Sequence, residues 1–386
     1  MPYVNGIKGA KKQANVHGLK LRQFLIINDT FVKMQLLALD HFVCRPHPSK
    51  KNTFCVAELK VVSALCVPGF ICIPYKNPKK EKVKSQYYQV VNEFEYQCPP
   101  SFEPSQSHAF KASTNKTKYI EKVHQLQKQI QLGNIYEINY CLEFFEENAK
   151  FSVLDVFQRL IEITKAPYTY LVKLGDDFII CCSPELFLKK SGSTLYSKPI
   201  KGTIKRGQTK SEDEKLMHAL QNSLKERTEN VMAVDVARND LSKIATKGSV
   251  FVNKLFNIES FETVHQMVST VKCELSDQMS IDEIIDATFP MASMTGAPKT
   301  SAMNLSDIYE DFERKYYSGS FGLIDAQGDF EWPVVIRSIF YNQKSQRLSI
   351  AAGGAITYLS EAEQEYDEII LKLQAQLKAL NGYIQF

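Results

Sequence analysis

The segment Lys198-Pro199-Ile200-Lys201-Gly202-Thr203 sets one cation, Lys201, between an apolar isoleucine and a glycine. Pro199 disfavours a continuing helix, and Gly202 permits backbone angles or close approaches that a side chain would forbid. Such a stretch suits a strand end that presents one amine to a ligand. An amine facing a closed pocket can act as a nucleophile; one facing water is an ordinary surface lysine. Two acidic pairs offer a different chemistry. Glu226 and Glu229, like Glu365 and Glu368, stand three apart in stretches that read as helix, which puts both carboxylates of a pair on one helix face. Two such faces brought together supply an oxygen-only site suited to Mg²⁺, which holds oxygens at about 2.0–2.1 Å and keeps waters and substrate oxygens. Taken singly, each pair reads first as an ordinary solvated helix face, since surface helices are rich in glutamate.

Isolated polar residues complete the inventory. Glu185 follows Ser183-Pro184, His265 lies in Val264-His265-Gln266-Met267-Val268, and Tyr317 precedes Ser318-Gly319. Arg337 follows the apolar run Val334-Val335-Ile336, and a buried arginine needs an anionic partner. Each also has a plain reading as a satisfied core or rim residue. Ala351-Ala352-Gly353-Gly354-Ala355 ends a strand-like run; small residues there let backbone N–H groups approach a carboxylate, or simply form a bulge. Thr295-Gly296-Ala297-Pro298-Lys299-Thr300 lacks the glycine spacing of a phosphate-binding loop and has Pro298 before its lysine. It offers only a helix N-terminus, whose free N–H groups can meet an anion.

The elements that must position these groups are legible in outline. Apolar runs at Phe24–Ile27, Leu36–Leu37, Val61–Val62 and Phe70–Ile73 alternate with turn signals and read as strands. Tyr119, Ile120, Val123, Leu126 and Ile130 recur at helical spacing, and Gly133-Asn134 ends that helix. A strand over 135–142 follows, then a helix over 153–163 and strands near 168–172 and 178–182. The pattern predicts one long helix over 212–232, helices over 281–287 and 299–312, strands over 320–324, 334–341 and 348–356, and a helix over 362–379. Strands adjacent in sequence near the end imply antiparallel pairing, hence an α+β fold rather than a doubly wound one. Residues 99–118 read as a connection, dividing a β-rich front part (1–117) from the remainder (118–386).

Composition narrows the classes. The chain has 386 residues, 44% hydrophobic and 23% charged, as expected of a globular protein, with a net charge of only +4. That balance does not suggest a nucleic-acid partner. The basic run Lys76–Lys84 reads as a solvated loop. Nine scattered cysteines without a C-x-x-C spacing signal neither zinc nor a disulfide framework, so reduced thiols in a cytoplasmic protein are expected. The N-terminus carries Lys8, Lys11 and Lys12 but no apolar h-region, so no signal peptide is expected. The apolar stretch Val61–Tyr75 is too short to span a membrane and contains Pro68 and Pro74, so no membrane partner is expected.

Order and combination point further. Ser183-Pro184-Glu185, Pro199-Ile200-Lys201-Gly202-Thr203, Glu226…Glu229…Val234-Asp235-Val236-Ala237-Arg238-Asn239-Asp240 and Val264-His265-Gln266-Met267-Val268 stand in sequence. Met294-Thr295-Gly296-Ala297-Pro298-Lys299, Tyr317-Ser318-Gly319, Ile336-Arg337, Gly353-Gly354 and Glu365-Tyr366-Asp367-Glu368 with Lys372 follow. Over about residues 118 to 375 this series resembles the chorismate-utilising enzyme family. The resemblance implies two large, mainly antiparallel β-sheets packed as a sandwich with helices outside and the site in a cleft. It also implies roles. Glu229 and Glu368 match direct Mg²⁺ ligands, Glu226 and Glu365 their water-mediated companions, and the metal would hold the ring carboxylate of chorismate. Tyr317, Arg337 and the backbone at Gly353, Gly354 and Ala355 match the enolpyruvyl carboxylate site. Gly202 and Thr203 would lie along the ring, His265 beside its leaving-group side, and Lys372 near the ring carboxylate. Glu185 matches the general acid for departure of the C4 hydroxyl.

Lys201 separates subfamilies. The members that make anthranilate, isochorismate or salicylate resemble one another in carrying a small residue there, usually alanine. The members that aminate C4 resemble this chain in carrying Pro-Ile-Lys-Gly-Thr; their lysine is thought to attack C2 as the C4 hydroxyl leaves. Ammonia from a glutaminase partner then attacks C4 and expels the lysine, on the route to p-aminobenzoate and folate. An anthranilate-forming enzyme and a catalytically dead regulatory homologue are the alternatives. Glu137, in Tyr136-Glu137-Ile138-Asn139, stands where the family more often has glutamine or lysine. It is a candidate acceptor for a proton from Lys201 or from ammonia. A lysine of pKa near 10.4 is only about 0.04% neutral at pH 7. A nucleophilic Lys201 therefore predicts a pKa lowered to about 7–8, and an acidic Glu185 predicts a raised one.

Overall fold

The computed structural model describes residues 36–75, 84–97, 106–262, 264–276 and 279–385. The expected strand Phe24–Ile27 and nearly all of the basic run Lys76–Lys84 lie outside the described residues.

Several strands are apolar on both faces, and the alternation of their side chains explains why. In Gly69–Ile73, Phe70 and Cys72 enter one core while Ile71 and Ile73 enter another. In Asp177–Ser183, Ile179 and Cys181 share the first of these cores, whereas Phe178, Ile180 and Cys182 face a third. A strand buried on both sides loses the polar alternation of a surface strand and reads as a continuous apolar run.

Hydrogen bonds join the strands into one series. It begins at Phe251–Ser260 and passes through Val264–Glu274, Thr194–Lys198, Leu186–Ser191, Phe330–Pro333, Ser320–Ile324 and Gly69–Ile73 to Gln86–Gln97. It continues through Thr53–Val62, His41–Pro46, Tyr168–Leu174, Asp177–Ser183, Ser338–Asn342 and Arg347–Ile356 to Glu137–Glu146. These pairings are antiparallel; Gly382–Gln385 beside His108–Ala112 is parallel. The middle core takes Phe70 and Phe321 from the first half of the series and Val43, Leu59, Val172 and Ile179 from the second. The halves therefore lie face to face as the expected sandwich. Helices Lys116–Gln131, Val153–Thr164, Ala362–Lys372 and Gln374–Leu380 cover one outer face, and Leu224–Ser242 with Ile281–Thr288 covers the other.

Leu36–Leu37, expected as strand, is helical, and the expected connection 99–118 contains the strand His108–Ala112 and the start of the helix Lys116–Gln131. Three further differences from the sequence expectation bear on the site. The long helix over 212–232 is two helices, Lys210–Asn222 and Leu224–Ser242. Ser223 leaves helical angles (φ −65°, ψ 116°) and its hydroxyl accepts the Glu226 N–H, a serine N-cap that restarts the chain. Glu226 thus stands in a first turn, where a carboxylate is favoured by the helix dipole. The strand over 334–341 is interrupted: Phe330–Pro333 and Ser338–Asn342 flank Arg337, whose φ is +53°. The C-terminal helix also breaks, into Ala362–Lys372 and Gln374–Leu380, and at the break the Lys372 carbonyl accepts Arg337 Nη1 at 2.7 Å.

Candidate active site

The two acid-bearing helices, Leu224–Ser242 and Ala362–Lys372, flank a cavity of about 590 Å³. Glu226, Glu229, Glu365 and Glu368 all line it. Two glycines make room for these carboxylates. A side chain at Gly202, where φ is +85°, would come within 2.8 Å of Glu226 Oε2, and one at Gly354 within 3.1 Å of Glu365 Oε2. Among the described residues, no three His, Cys, Asp or Glu side chains stand close enough to hold a metal by themselves. Each acid is instead turned towards a lysine or left open. Lys201 Nζ lies 4.0 Å from Glu229, Lys225 Nζ 3.5 Å from Glu365, and Lys372 Nζ 2.7 Å from Glu368. Glu229 Oε1 is buried and has no hydrogen-bond partner.

Lys201 sits on the strand Ile200–Lys205 and is only 8% exposed. Its ammonium donates to Glu137 Oε1 at 2.5 Å, across 64 residues of sequence. Glu137, itself 4% exposed, is held by backbone contacts on both sides. Tyr136 N–H donates to the Ala297 carbonyl and Asn139 N–H to the Thr295 carbonyl, both at 2.7 Å. Gly296 is what permits this approach, since a side chain there would meet the Glu137 carbonyl at 2.2 Å. The motif around Gly296 therefore builds the site through its backbone. Its Lys299 turns away, donating to Asp240 and to the Thr288 carbonyl rather than facing an anion.

The electrostatics confirm one expectation and correct another. Burial raises the Glu185 carboxyl from 4.5 to about 7, against the opposing pull of Ser293, the Ile200 N–H and Lys201. Burial also lifts Glu229 to about 7, only partly offset by Lys201. Lys201 was expected to be depressed towards neutrality. Burial does push it down, but Glu137 and Glu229 outweigh that and hold the ammonium above its ordinary range. The reason is the Glu137 carboxylate, whose distance in sequence hides the pairing. Glu368 goes the other way: despite burial, Lys372 holds it below the usual carboxylate range.

Most of the expected site residues meet here. Glu185, Lys201, Gly202, Thr203, Tyr317 and Arg337 line the cavity, as do Gly353, Ala355 and Lys372. Glu137 reaches it through Lys201, and Gly354 borders it through Glu365. Lys372 Nζ also donates to the Gly353 carbonyl at 2.8 Å. His265 is the exception. Strand alternation turns Val264 and Gln266 to the cavity and His265 away from it, where its ring meets Ser260 Oγ at 2.8 Å and Asp213 Oδ1 at 3.0 Å. Asp213 in turn accepts two hydrogen bonds from Arg206 and one from the Gly207 N–H. His265 thus braces the end of the Lys201 strand rather than facing a ligand. Gln266, whose buried Oε1 has no partner, takes the cavity position, and period-two alternation was the signal for it. Lys225 and Ser293 also line the cavity without having been singled out. Lys225 was legible as the neighbour of Glu226 and one turn before Glu229.

Residues 23–378 match the family model for chorismate binding enzymes. The chain is 37% identical over 310 residues to the chloroplastic aminodeoxychorismate synthase of Arabidopsis thaliana, covering 79% of this chain and 34% of that one. It is 34% identical over 273 residues to aminodeoxychorismate synthase component 1 of Escherichia coli, covering 70% and 59%. An anthranilate synthase component 1 of Saccharolobus solfataricus is 35% identical over 268 residues, covering 69% and 63%. The chain thus spans about a third of the plant relative and about three fifths of the bacterial one. The crystal structure of anthranilate synthase component I from Streptococcus pneumoniae superposes with a TM-score of 0.70 at 21% identity, covering 93% and 95%, so the fold is shared. No helix among the described residues is long and apolar enough to cross a membrane.

Proposed function

The chain belongs to the chorismate-binding enzymes, and from that premise we propose that it aminates chorismate at C4 to give 4-amino-4-deoxychorismate. The observation that supports this reading is Lys201, a buried amine in the acidic cavity with a proton acceptor 2.5 Å away. Glu137 and Glu229 hold Lys201 charged in the free site; a cation bound at the glutamates would oppose that charge, and Glu137 is the acceptor for the proton as the amine is freed. The freed amine attacks C2 of the ring, the two ring double bonds shift, and the C4 hydroxyl leaves as water with the proton of Glu185. Ammonia then attacks C4, the double bonds shift back, and Lys201 leaves C2. A carboxyl titrating at about 7 is well matched to the acid role at neutral pH.

The four cavity glutamates form an oxygen-only donor set, and the unpartnered Glu229 Oε1 fits a cation. They would hold Mg²⁺, which when bound supplies charge neutralisation for the ring carboxylate. Since no three of them converge, part of the coordination falls to water or substrate. Arg337 and Tyr317, with the backbone at Gly353 to Ala355, provide donors for the enolpyruvyl carboxylate. Arg337 is held for this by its bond to the Lys372 carbonyl. Thr203 and Gly202 flank the ring. The component-1 name of the bacterial relative implies a second component for that protein, and a glutaminase in that place would supply this chain with ammonia. The unpaired cysteines among the described residues suit a reducing compartment such as the cytoplasm.

Incubating the chain with chorismate, Mg²⁺ and ammonium, and identifying the product by mass spectrometry, tests the reading. The expected product is 4-amino-4-deoxychorismate. Anthranilate is the competing product, given the archaeal relative, and its appearance, or that of isochorismate, overturns the proposal.

A further inference from the structure

The acidic mouth of the cavity holds a cation of its own. Lys225 Nζ reaches from the helix Leu224–Ser242 across to Glu365 Oε1 on the helix Ala362–Lys372, at 3.5 Å. It therefore ties together the two helices that each lend a pair of acids. The pair is lopsided: the Glu365 side chain is 5% exposed, whereas that of Lys225 is 55% exposed. A flexible lysine of this kind can swing into water at little cost, while the buried carboxylate cannot follow it. The neighbouring lysines are anchored twice. Lys201 is bonded to Glu137 as well as facing Glu229, and Lys372 donates to the Gly353 carbonyl as well as to Glu368. Among the described residues, Lys225 has Glu365 alone as its ion-pair partner. Beside it the buried Glu229 Oε1 lies open, so the acidic bed is only part filled.

We propose that Lys225 is an internal counter-cation that occupies the acidic mouth until a divalent metal displaces it. The inference rests on reading Glu226, Glu229, Glu365 and Glu368 as the metal-holding residues. It accounts for an acid-rich cavity in which no three carboxylates converge: Glu365 is drawn to a lysine, and bringing it to a metal requires Lys225 to leave. Displacement makes metal binding weaker than four glutamates alone would allow. It also keeps the two helices tethered before the metal arrives.

The test is calorimetric titration of the full chain with Mn²⁺ and with Mg²⁺, without chorismate, for the unaltered chain, Lys225→Ala and Lys225→Arg. Lys225→Ala is expected to bind either metal about fivefold more tightly, the scale of one partly exposed ion pair. Lys225→Arg keeps the competing charge and is expected to match the unaltered chain. The gain in Lys225→Ala should shrink at high salt, where exposed charges are screened. Unchanged or weaker binding by a Lys225→Ala protein that melts at the same temperature as the unaltered chain overturns the inference. Absence of metal binding in all three proteins overturns it differently, by removing the metal-holding role of the glutamates.

Discussion

Replacing Glu185 by glutamine separates two effects that the site combines. Burial raises this carboxyl from 4.5 to about 7. At pH 7 about half of it is protonated, against roughly 0.3% for a carboxyl titrating at 4.5, a gain of about 150-fold in the acid form. The cost falls on stability. A raised carboxyl pKa means that the folded chain binds the proton more tightly than the unfolded one. Stability is therefore complete below about 4.5 and is lost as pH rises to about 7. The shift corresponds to about 3 kcal/mol above that window. Glutamine cannot ionise and escapes this loss. Glu185→Gln is thus expected to melt higher than the unaltered chain at pH 8, with the difference closing near pH 4.5. The same variant loses the proton donor, so kcat should fall about 10²–10⁴-fold. The falling limb of the rate above pH 7 should disappear with it. Steady-state rates from pH 5.5 to 9 and thermal melts at both ends of the range provide the readout. A variant that retains kcat within tenfold and keeps its limb near pH 7 would refute the assignment of Glu185 as the acid.

Other changes probe the supports. Glu137→Gln removes the acceptor 2.5 Å from Lys201 and should lower kcat about 10²-fold with little change in the KM for chorismate; unchanged kcat would show that the proton leaves by another route. Gly202→Ala strains a position at φ +85° and crowds Glu226 Oε2 at 2.8 Å. It should cost about 1–2 kcal/mol of stability and raise the Mg²⁺ concentration needed for half-maximal rate, measured by denaturation and metal titration. Arg314, 5% exposed, donates twice to Glu310 and once each to the Met294 and Asn139 carbonyls behind the cavity. Arg314→Leu strands the buried Glu310 charge and should cost about 3–5 kcal/mol in chemical denaturation, whereas a loss under 1 kcal/mol would mean the pair is dispensable.

Much of the site was legible because its chemistry is carried by short ordered motifs. The i, i+3 acidic pairs and the Pro-Ile-Lys-Gly-Thr stretch fall in the elements that their spacing implied. The α+β architecture was legible too, since antiparallel neighbours follow one another in sequence. What escaped the reading depends on contacts between distant segments. The charge state of Lys201 is set by Glu137, which arrives on another strand and is held there by the Gly296 backbone. His265 turns away from the cavity because its strand alternates, a fact of register rather than of residue type. The break at Ser223 follows from one hydroxyl capping one N–H, a local competition that helical periodicity does not display. Lys225 went unremarked because a lysine beside a glutamate on a helix is ordinary until the second helix brings Glu365 to it.

Intact-protein mass spectrometry after mixing the chain with chorismate and Mg²⁺, with ammonium withheld, tests the role of Lys201 most directly. Without ammonia the second displacement cannot run, so an adduct with the mass of chorismate less one water should accumulate and map to Lys201. It should vanish on adding ammonium and be absent from Lys201→Ala. Full amination activity in Lys201→Ala, or an adduct on any other residue, would contradict the account.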